Sequence, residues 1–271
     1  MKSLARIGMV LVIGLSLCNL GQAQSALYTS DNNHGVKNIV LIHGAWADGS
    51  SWSKVIPLLG AKGFHVVAAQ LPLTSLQDDD AAADRAIARI SAAYPGPVLL
   101  VGHSYGGVVI GDEPGTNPNV VGLVYVAAFA PDSGQSTLGL LGTLKSPPPI
   151  NNYLVLNATQ TFSTIAPEGI GLAFAQLVPP IEQTILTATQ GPTSLADLTA
   201  TPTVTPAWKS KPSWFVISEF DDVITAGLEE QEARDIGATA ITLPTCHVAM
   251  IQEPVRVADF IAQAANSIRT R

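Results

Sequence analysis

The feature that most constrains the fold is a series of short, continuous apolar runs separated by longer amphipathic stretches. The runs are rich in β-branched residues and alternate little between apolar and polar positions, which is typical of strands buried on both faces of a parallel sheet. The six runs are 37–42, 64–69, 98–101, 120–127, 214–217 and 240–243. The sequence therefore predicts an α/β fold with a six-stranded, mostly parallel sheet and helices on both faces.

Helices are predicted between these strands, at 51–61, 79–93, 105–110, 225–236 and 255–267. The alternation breaks between Pro131 and Pro212, where Thr, Pro, Leu and Asn are frequent and charged residues are few. A loop of this length without secondary structure is uncommon in a compact domain. Apolar residues at helical spacing in 169–177 and 181–189 favour a small helical cap over a disordered linker. We expect a single domain over residues 24–271, with a cap insertion at about 131–212.

Residues 1–23 have the pattern of a secretory signal peptide. A basic end with Lys2 and Arg6 is followed by an apolar run at 7–17 and by small residues at 21–23. The run is too short to span a bilayer as a helix, which takes about 20 residues. A lipoprotein anchor at Cys18 is disfavoured because the residue before it is not small. We expect a periplasmic or secreted protein without stable membrane insertion.

Composition narrows the classes of partner and cofactor. With 47% hydrophobic and 13% charged residues, the chain is neither disordered nor a coiled coil. A formal net charge of -7 repels phosphates, so we expect no nucleic acid partner. Removal of the leader would leave Cys246 as the single cysteine, which excludes an internal disulfide. The sequence has no motif for a nucleotide phosphate, a dinucleotide or a metal, so we expect no cofactor and no metal. We also expect a monomer or homodimer.

The strongest chemical motif is G-H-S-Y-G-G at 102–107, between the apolar run 98–101 and the apolar start of a helix. A serine on such a sharp strand-to-helix turn has a strained backbone that nearby glycines accommodate, and its hydroxyl stands exposed above the sheet. The plainer alternative is a glycine-rich turn with an idle serine. We predict that Ser104 is a nucleophile.

A serine is a weak nucleophile until a histidine, itself oriented by a carboxylate, takes its proton. Of the five histidines, His247 follows the last predicted strand and stands just ahead of the final helix. The acid is expected after the preceding strand, where two aspartates are adjacent. We favour Asp221, with Asp222 as the first alternative. Asp132 is the second alternative, because related sheets sometimes take the acid from the strand before.

The loop H-G-A-W at 43–46 follows the first strand and is the candidate source of an oxyanion donor. An acyl-transfer enzyme stabilises its tetrahedral intermediate with preorganised N–H groups. We predict the amides of Ala45 and Tyr105 as these donors, and a plain strand-to-helix loop is the alternative. The aromatic residues of the cap are expected to roof an apolar pocket beside Trp46. They are Tyr153, Phe162, Phe174 and Trp208.

Together these motifs resemble the α/β-hydrolase superfamily. Within it, the chain is similar to the small-cap branch that contains plant methylesterases, hydroxynitrile lyases and bacterial pyrethroid or aryl esterases. The resemblance runs from about residue 37 to the C-terminal end, is weakest in the cap, and implies the same triad and the same oxyanion donors. The segments that carry it are 40–45 (V-L-I-H-G-A), 102–107, 125–130 (Y-V-A-A-F-A), 213–218 (S-W-F-V-I-S) and 247–250 (H-V-A-M).

Several residues depart from the pattern of this branch. Its lyases have a lysine after the catalytic histidine and a bulkier residue in place of Gly44, whereas this chain has Val248 and Gly44, so cyanohydrin cleavage is disfavoured. Cys246 is expected to be half-buried filler rather than a nucleophile, because nothing beside it except His247 would lower its pKa. The charge of Asp222 is expected to raise the pKa of its neighbour.

The sequence therefore predicts an exported serine hydrolase that cleaves carboxylic esters of small apolar or aromatic substrates through an acyl-enzyme. An amidase, a lactonase or a carbamate hydrolase would use the same triad. A non-catalytic ligand-binding protein on a hydrolase scaffold is the alternative from another class. The presence of all three catalytic residue types favours turnover over simple binding.

Overall fold

Nine strands lie in the part of the chain that the computed structural model describes, residues 35–269. The predicted leader at 1–23 lies outside the described residues. The strands are β1 (Asn38–Ile42), β2 (His65–Ala68), β3 (Val98–Ser104), β4 (Val120–Ala128), β5 (Leu154–Leu156), β6 (Phe162–Ile165), β7 (Thr193–Ser194), β8 (Ser213–Ser218) and β9 (Thr239–Leu243).

Six of these strands form a central sheet in the order β2-β1-β3-β4-β8-β9, and every neighbouring pair is parallel. Strands β1, β3 and β8 are buried at every residue, whereas the edge strands β2 and β9 are partly exposed. Full burial on both faces explains why the inner strands read as continuous apolar runs. The predicted α/β fold with a six-stranded parallel sheet is confirmed.

Helices connect the strands and cover both faces of the sheet. In the long C-terminal helix, the buried residues Val257, Phe260, Ile261 and Ala264 follow the helical spacing that predicted it. Among the described residues, no helix combines the length and apolar character that a membrane crossing requires. The helices are α1 (Val55–Ala61), α2 (Leu76–Ala93), α3 (Gly106–Gly111), α4 (Glu113–Thr116), α5 (Thr137–Leu141), α6 (Pro167–Gly169), α7 (Pro180–Thr189), α8 (Leu195–Thr199), α9 (Ala226–Asp235), α10 (Ala249–Gln252) and α11 (Pro254–Ser267).

The cap between β4 and β8 is mixed rather than helical, which corrects the prediction. Strands β5, β6 and β7 form a small antiparallel sheet, flanked by the short helices α5 to α8. In β6 the side chains of Ser163 and Ile165 are buried while Phe162 is half-buried, so the period is that of a strand. The helix predicted at 181–189 is present as α7, but the one predicted at 169–177 is reduced to the end of α6 and a π-type turn at Ile170–Phe174.

Side-chain hydrogen bonds fasten the cap to the loops of the central sheet. The Trp46 amide donates to Thr193 Oγ1 over 2.8 Å, and its indole N–H donates to Ser163 Oγ over 3.1 Å. At the end of α3, the buried Asp112 carboxylate accepts from the amide and the hydroxyl of Thr203 over 2.9 and 3.0 Å. These bonds add to apolar packing, since buried cap residues such as Phe174 and Leu198 belong to the same hydrophobic core as the sheet.

Candidate active site

Ser104 ends β3 on the sharp turn into α3. Its φ of 54° lies in the left-handed region, where a residue with a side chain is strained unless its surroundings hold it. A Cβ at Gly106 would lie 2.6 Å from the His43 carbonyl oxygen, and one at Gly102 would lie 2.5 Å from the Gly106 carbonyl oxygen. The glycines of the motif are therefore required by the close approach of backbone to backbone, as predicted for a serine turn of this kind.

The second part of the site is the buried pair of His247 and Asp221. Nδ1 of His247 donates to Oδ2 of Asp221 over 2.6 Å, and both side chains are fully enclosed. Because an ionised carboxylate only accepts hydrogen bonds, Nδ1 carries the proton and Nε2 is left as the basic nitrogen. Within residues 35–269, Nε2 has no hydrogen-bond partner. This tautomer is the one that a general base requires.

The Asp221 carboxylate is held by backbone amides as well. Its Oδ1 accepts from Val223 over 2.6 Å and from Ile224 over 2.9 Å. Burial by itself raises the pKa of this carboxyl, but the charge and the hydrogen bond of His247 outweigh it and lower the pKa of Asp221 to about 2. The expectation that Asp222 raises this pKa is wrong: partial burial and the charge of Asp221 instead raise the pKa of Asp222.

The alternative acids lie away from the imidazole. Asp222 is half-buried, and its Oδ2 accepts from the side-chain amide of Gln176 over 3.1 Å. Asp132 is partly exposed and pairs with the Lys209 ammonium at 2.5 Å. Among the described residues, neither carboxylate hydrogen bonds with His247. The geometry favours Asp221 as the partner of the histidine.

His103 brings the serine turn next to the histidine loop. Its ring centroid lies 4.7 Å from that of His247, and its Nε2–H donates to the His247 carbonyl oxygen over 2.9 Å. Burial lowers the pKa of His103 well below its ordinary value, so this ring stays neutral. The Oγ of the adjacent Ser104 lies 3.1 Å from the position that a Cβ on Gly44 would occupy. This Oγ does not hydrogen bond with Nε2 of His247. Catalytic hydrogen bonds of this kind are often long without substrate and tighten in the complex.

The predicted oxyanion donors lie on the same cavity as the serine. Ala45 and Tyr105 both line it together with Ser104. Their backbone amides donate to no protein acceptor in the described part of the chain, whereas the next amide, that of Trp46, is engaged with Thr193. Two uncommitted amides beside a candidate nucleophile are the arrangement that stabilises an oxyanion.

The cavity itself is small and apolar. Its volume is about 30 Å³, which is room for about two water molecules. Apart from Ser104 and Tyr105, the polar residues on its wall are Thr137 and Asn151, and the Thr137 hydroxyl is engaged with the Leu198 carbonyl oxygen over 2.6 Å. The apolar wall consists of Ala45, Trp46, Phe129, Leu138, Leu141, Ile150, Leu154, Leu198 and Val223.

A sequence profile described as the alpha/beta hydrolase family matches residues 39–260, which is most of the chain. The chain belongs to this family. The resemblance seen in the sequence is therefore confirmed, and the six-stranded sheet with its serine turn is the fold of an alpha/beta hydrolase.

This alpha/beta hydrolase is similar to several characterised proteins. The pyrethroid hydrolase of Sphingobium wenxiniae is 28% identical over 253 residues, which cover 86% of this chain and 89% of that protein. Salicylic acid-binding protein 2 of Nicotiana tabacum is 34% identical over 130 residues, 44% of this chain and 49% of that protein. The chain thus spans about half the length of this second relative.

Solved structures share the fold of the hydrolase. A crystal structure of a pyrethroid hydrolase from Sphingobium faniae matches with a TM-score of 0.70 and 22% identity, over 86% of this chain and 98% of that one. The crystal structure of polyneuridine aldehyde esterase matches with a TM-score of 0.71 and 19% identity, over 84% and 99% of the two chains.

Two of the aromatic residues predicted to contact substrate lie at the site of the hydrolase. Trp46 is on the cavity wall. Phe174 is buried, with its ring centroid 5.2 Å from that of His247. Phe174 therefore packs against the candidate base from the cap side.

Neither Phe174 nor the other three predicted aromatic residues lies on the cavity wall. Tyr153 packs against the backbone of Gly169, Phe162 belongs to the cap sheet, and the Trp208 indole donates to the Pro131 carbonyl oxygen over 3.2 Å. Leucines of α5, β5 and α8 line the cavity from the cap instead. The prediction failed here because the apolar residues of an irregular cap show no period from which their direction could be read.

Cys246 is fully buried rather than half-buried. Burial raises the pKa of its thiol, so it is not an activated nucleophile. Across residues 35–269, no three His, Cys, Asp or Glu side chains cluster as ligands for a metal ion. The serine, the histidine and the carboxylate remain the candidate catalytic groups of the site.

Sequence reasoning missed two residues at the site. His103 was assigned only to the glycine turn, yet its ring bonds the backbone of His247 and so joins the serine turn to the histidine loop. Glu229, on α9, is fully buried close behind Asp221. The helical spacing of Glu229 does give a signal, because Glu229 shares the buried face of α9 with Glu232 and Ala233. This signal is easily missed, because acidic residues are normally found on the solvated face of a helix.

Proposed function

We propose that this alpha/beta hydrolase is an exported serine esterase that cleaves carboxylic esters of small apolar or aromatic substrates. Its family and its relatives named as hydrolases and esterases make it a carboxylesterase-like enzyme. The single observation that carries the triad is the enclosed 2.6 Å hydrogen bond between His247 and Asp221, with Nε2 left free, next to the turn that strains Ser104.

In the proposed reaction, Ser104 Oγ attacks the ester carbonyl carbon while Nε2 of His247 takes the hydroxyl proton. The amides of Ala45 and Tyr105 hold the resulting oxyanion. His247 then gives the proton to the alkoxy oxygen of the ester, the bond between this oxygen and the carbonyl carbon breaks, and the alcohol departs. The acyl group stays bonded to Ser104 as an acyl-enzyme. A water molecule that loses its proton to His247 attacks the acyl carbon, and His247 returns this proton to Ser104 Oγ as the bond between that oxygen and the acyl carbon breaks, which releases the acid. Asp221 stabilises the imidazolium and remains ionised throughout.

The wall of the cavity supports an apolar substrate. Its residues are mostly aliphatic or aromatic, and the Thr137 hydroxyl is already paired with a backbone carbonyl. A polar acyl group would lose its hydration there without gaining partners. The small volume supports a short acyl chain, and an aromatic ring would enter only with movement of the cap.

Export is proposed from the leader pattern of residues 1–23. A single mass-spectrometry experiment addresses both export and catalysis. The full chain is expressed, the exported fraction is treated with a fluorophosphonate, and the intact and digested protein are weighed. We expect a chain that starts at Gln24 and a single adduct on Ser104. A labelled chain that keeps its leader would contradict export alone.

Turnover is tested with p-nitrophenyl acetate. Ser104→Ala should lower kcat/KM by about a thousandfold or more, because the nucleophile is lost while the pocket remains. Ser133→Ala, a change on an exposed loop, is the matched control and should match wild type. Equal rates for wild type and Ser104→Ala, together with no fluorophosphonate adduct, would reject the esterase and favour the ligand-binding alternative.

A further inference from the structure

A third carboxyl group stands behind the pair of His247 and Asp221. Glu229 lies on α9 and is fully buried. Its Oε2 accepts from the Ser218 amide over 3.0 Å, at the end of β8, so the side chain is held against the loop that carries Asp221. Its other oxygen, Oε1, receives no N–H or O–H donor from residues 35–269. Ser218 also bonds the loop of the pair, because its carbonyl oxygen accepts from the Asp221 amide over 3.3 Å, and hydrogen bonding between the two side-chain carboxyls lowers the pKa of Asp221 and raises that of Glu229.

Two buried carboxyl groups in contact cannot both be ionised, so one of them keeps a proton. Asp221 accepts from the His247 ring and from two backbone amides, and these donors stabilise its charged form. Glu229 accepts from one amide only. Burial, and next the charge of Asp221, raise the pKa of Glu229 well above its ordinary value. The shared proton therefore resides on Glu229.

We propose that Glu229 is a positioning residue of the triad, whose neutral carboxyl donates a hydrogen bond from Oε1 to the Asp221 carboxylate while Oε2 accepts from Ser218. The inference rests on the proposed esterase function, because Glu229 acts only through Asp221 and His247. This donor fixes the plane of the Asp221 carboxylate and leaves Oδ2 for the imidazole. An ionised Glu229 would instead repel Asp221 and offer it no hydrogen.

The other titratable groups near this pair do not supply that donor. Glu232, one turn further along α9, accepts from the Ala130 amide, and Asp222 accepts from Gln176. His103 donates to a backbone carbonyl, and Cys246 is held by backbone contacts. Within the described residues, Glu229 is thus the group that bonds Asp221 from the helix side.

Two substitutions of Glu229 distinguish a role as hydrogen-bond donor to Asp221 from a role as negative charge. Glu229→Gln keeps the shape, an acceptor oxygen for Ser218 and an N–H for Asp221. It should keep kcat and KM for p-nitrophenyl acetate within about twofold of wild type and leave the acid limb of the kcat/KM profile in place. Glu229→Leu removes both hydrogen bonds. It should lower kcat about tenfold or more at nearly constant KM, because a misplaced Asp221 no longer orients the base.

Glu232→Leu is the matched control. It also removes a buried carboxyl and a backbone acceptor from α9, but it does not contact Asp221. Circular dichroism and thermal unfolding should show similar losses of stability in the two leucine variants. Only Glu229→Leu should lose kcat, which distinguishes positioning of the triad from support of the fold.

Four outcomes decide between the proposals. If Glu229→Leu keeps the kcat of wild type, the positioning role is overturned. The role is also overturned if Glu229→Gln loses kcat about tenfold, or if its acid limb moves to lower pH by about half a unit or more, since that shift reports the loss of a negative charge beside the imidazole. If wild type and Ser104→Ala react equally, the esterase itself fails, and this result is independent of Glu229.

Discussion

The central sheet and the cap hold the site by different means. Strands β3 and β8 are enclosed along their whole lengths and lead directly into the loops that carry Ser104 and Asp221. The cap packs into the same apolar core with residues such as Phe174, bonds the loop after β1 through the contact between Trp46 and Thr193, and leaves its outer residues, such as Ile181, exposed. Elements that are enclosed along their whole lengths open rarely, and partly exposed ones open more often. The candidate catalytic groups lie at the ends of the enclosed strands, whereas the groups that cover them lie on the cap.

This difference predicts two kinds of variant. Changes at the ends of the sheet strands should remove rate with little effect on substrate affinity. Changes in the cap should act on affinity and stability and leave the chemical step in place. The expectations below run from the largest effect to the smallest, and each can break this division.

The largest of these effects is expected at the acid loop. Asp221→Asn should lower kcat by about 10⁴-fold, because an asparagine amide no longer holds the imidazole in the tautomer that leaves Nε2 basic. Asp222→Asn, one residue on, should stay within about threefold of wild type, since its carboxylate bonds Gln176 rather than His247. Steady-state kinetics on both variants decides the matter. A larger loss in Asp222→Asn would reverse the assignment of the acid.

The junction between cap and sheet should give an intermediate effect. Thr193→Val keeps the shape of the side chain but leaves the buried Trp46 amide without an acceptor, at a cost of about 1–3 kcal/mol. We expect kcat/KM to fall about tenfold, mainly through a higher KM, together with a lower Tm. Thr184→Val, at an exposed position where the hydroxyl bonds its own helix, is the control and should change neither. A loss confined to kcat would show that the cap sets the geometry of the oxyanion loop.

Two buried carboxyl groups, one from a helix beside the sheet and one from the cap, lie behind the serine turn. Asp79 of α2 accepts from the Tyr105 hydroxyl over 3.0 Å and from the Leu73 amide over 2.8 Å. Asp197 of the cap is buried nearby. Burial raises the pKa of Asp79 to about 6 and that of Asp197 to about 7. Because the folded state binds these protons more tightly than the unfolded state, the stability they contribute is lost as pH rises from about 4 to 7.

The smallest effect follows from this pair. Asp197→Asn removes the charge that is costly at high pH, so its Tm should exceed that of wild type by a few degrees at pH 8 and nearly equal it at pH 5. Asp132→Asn changes an aspartate whose pKa is lowered, mainly by its hydrogen bond to Lys209, and it should not flatten the pH dependence. Thermal unfolding at several pH values tests both. A wild-type Tm that rises between pH 5 and 8 while that of Asp197→Asn does not would contradict the prediction.

Much of the sheet and of the site could be predicted from the sequence. Buried parallel strands leave a strong signal, because both of their faces are apolar. The carboxyl ends of such strands meet at one edge, so a serine after one strand and a histidine after another are brought together by topology alone. Ser104 and His247 were selected in this way, and the structure places them on neighbouring loops that His103 joins.

The small sheet of the cap and the buried Glu229 behind Asp221 could not be predicted in this manner. The four residues of β6 are too few to show the two-residue alternation of a strand. The prolines and threonines around it are compatible with several kinds of local structure. Glu229 stands in a stretch with Glu230 and Glu232 that has the composition of a solvated helix face. Tertiary packing, which composition does not encode, buries Glu229 against Asp221.

The enclosure of Cys246 has a practical consequence. In the mature chain proposed here it is the sole sulfhydryl, and it directly precedes His247. A maleimide or iodoacetamide can reach the sulfur only when the loop around the histidine opens. The rate of alkylation therefore measures how often that loop opens, and it does so without a substrate.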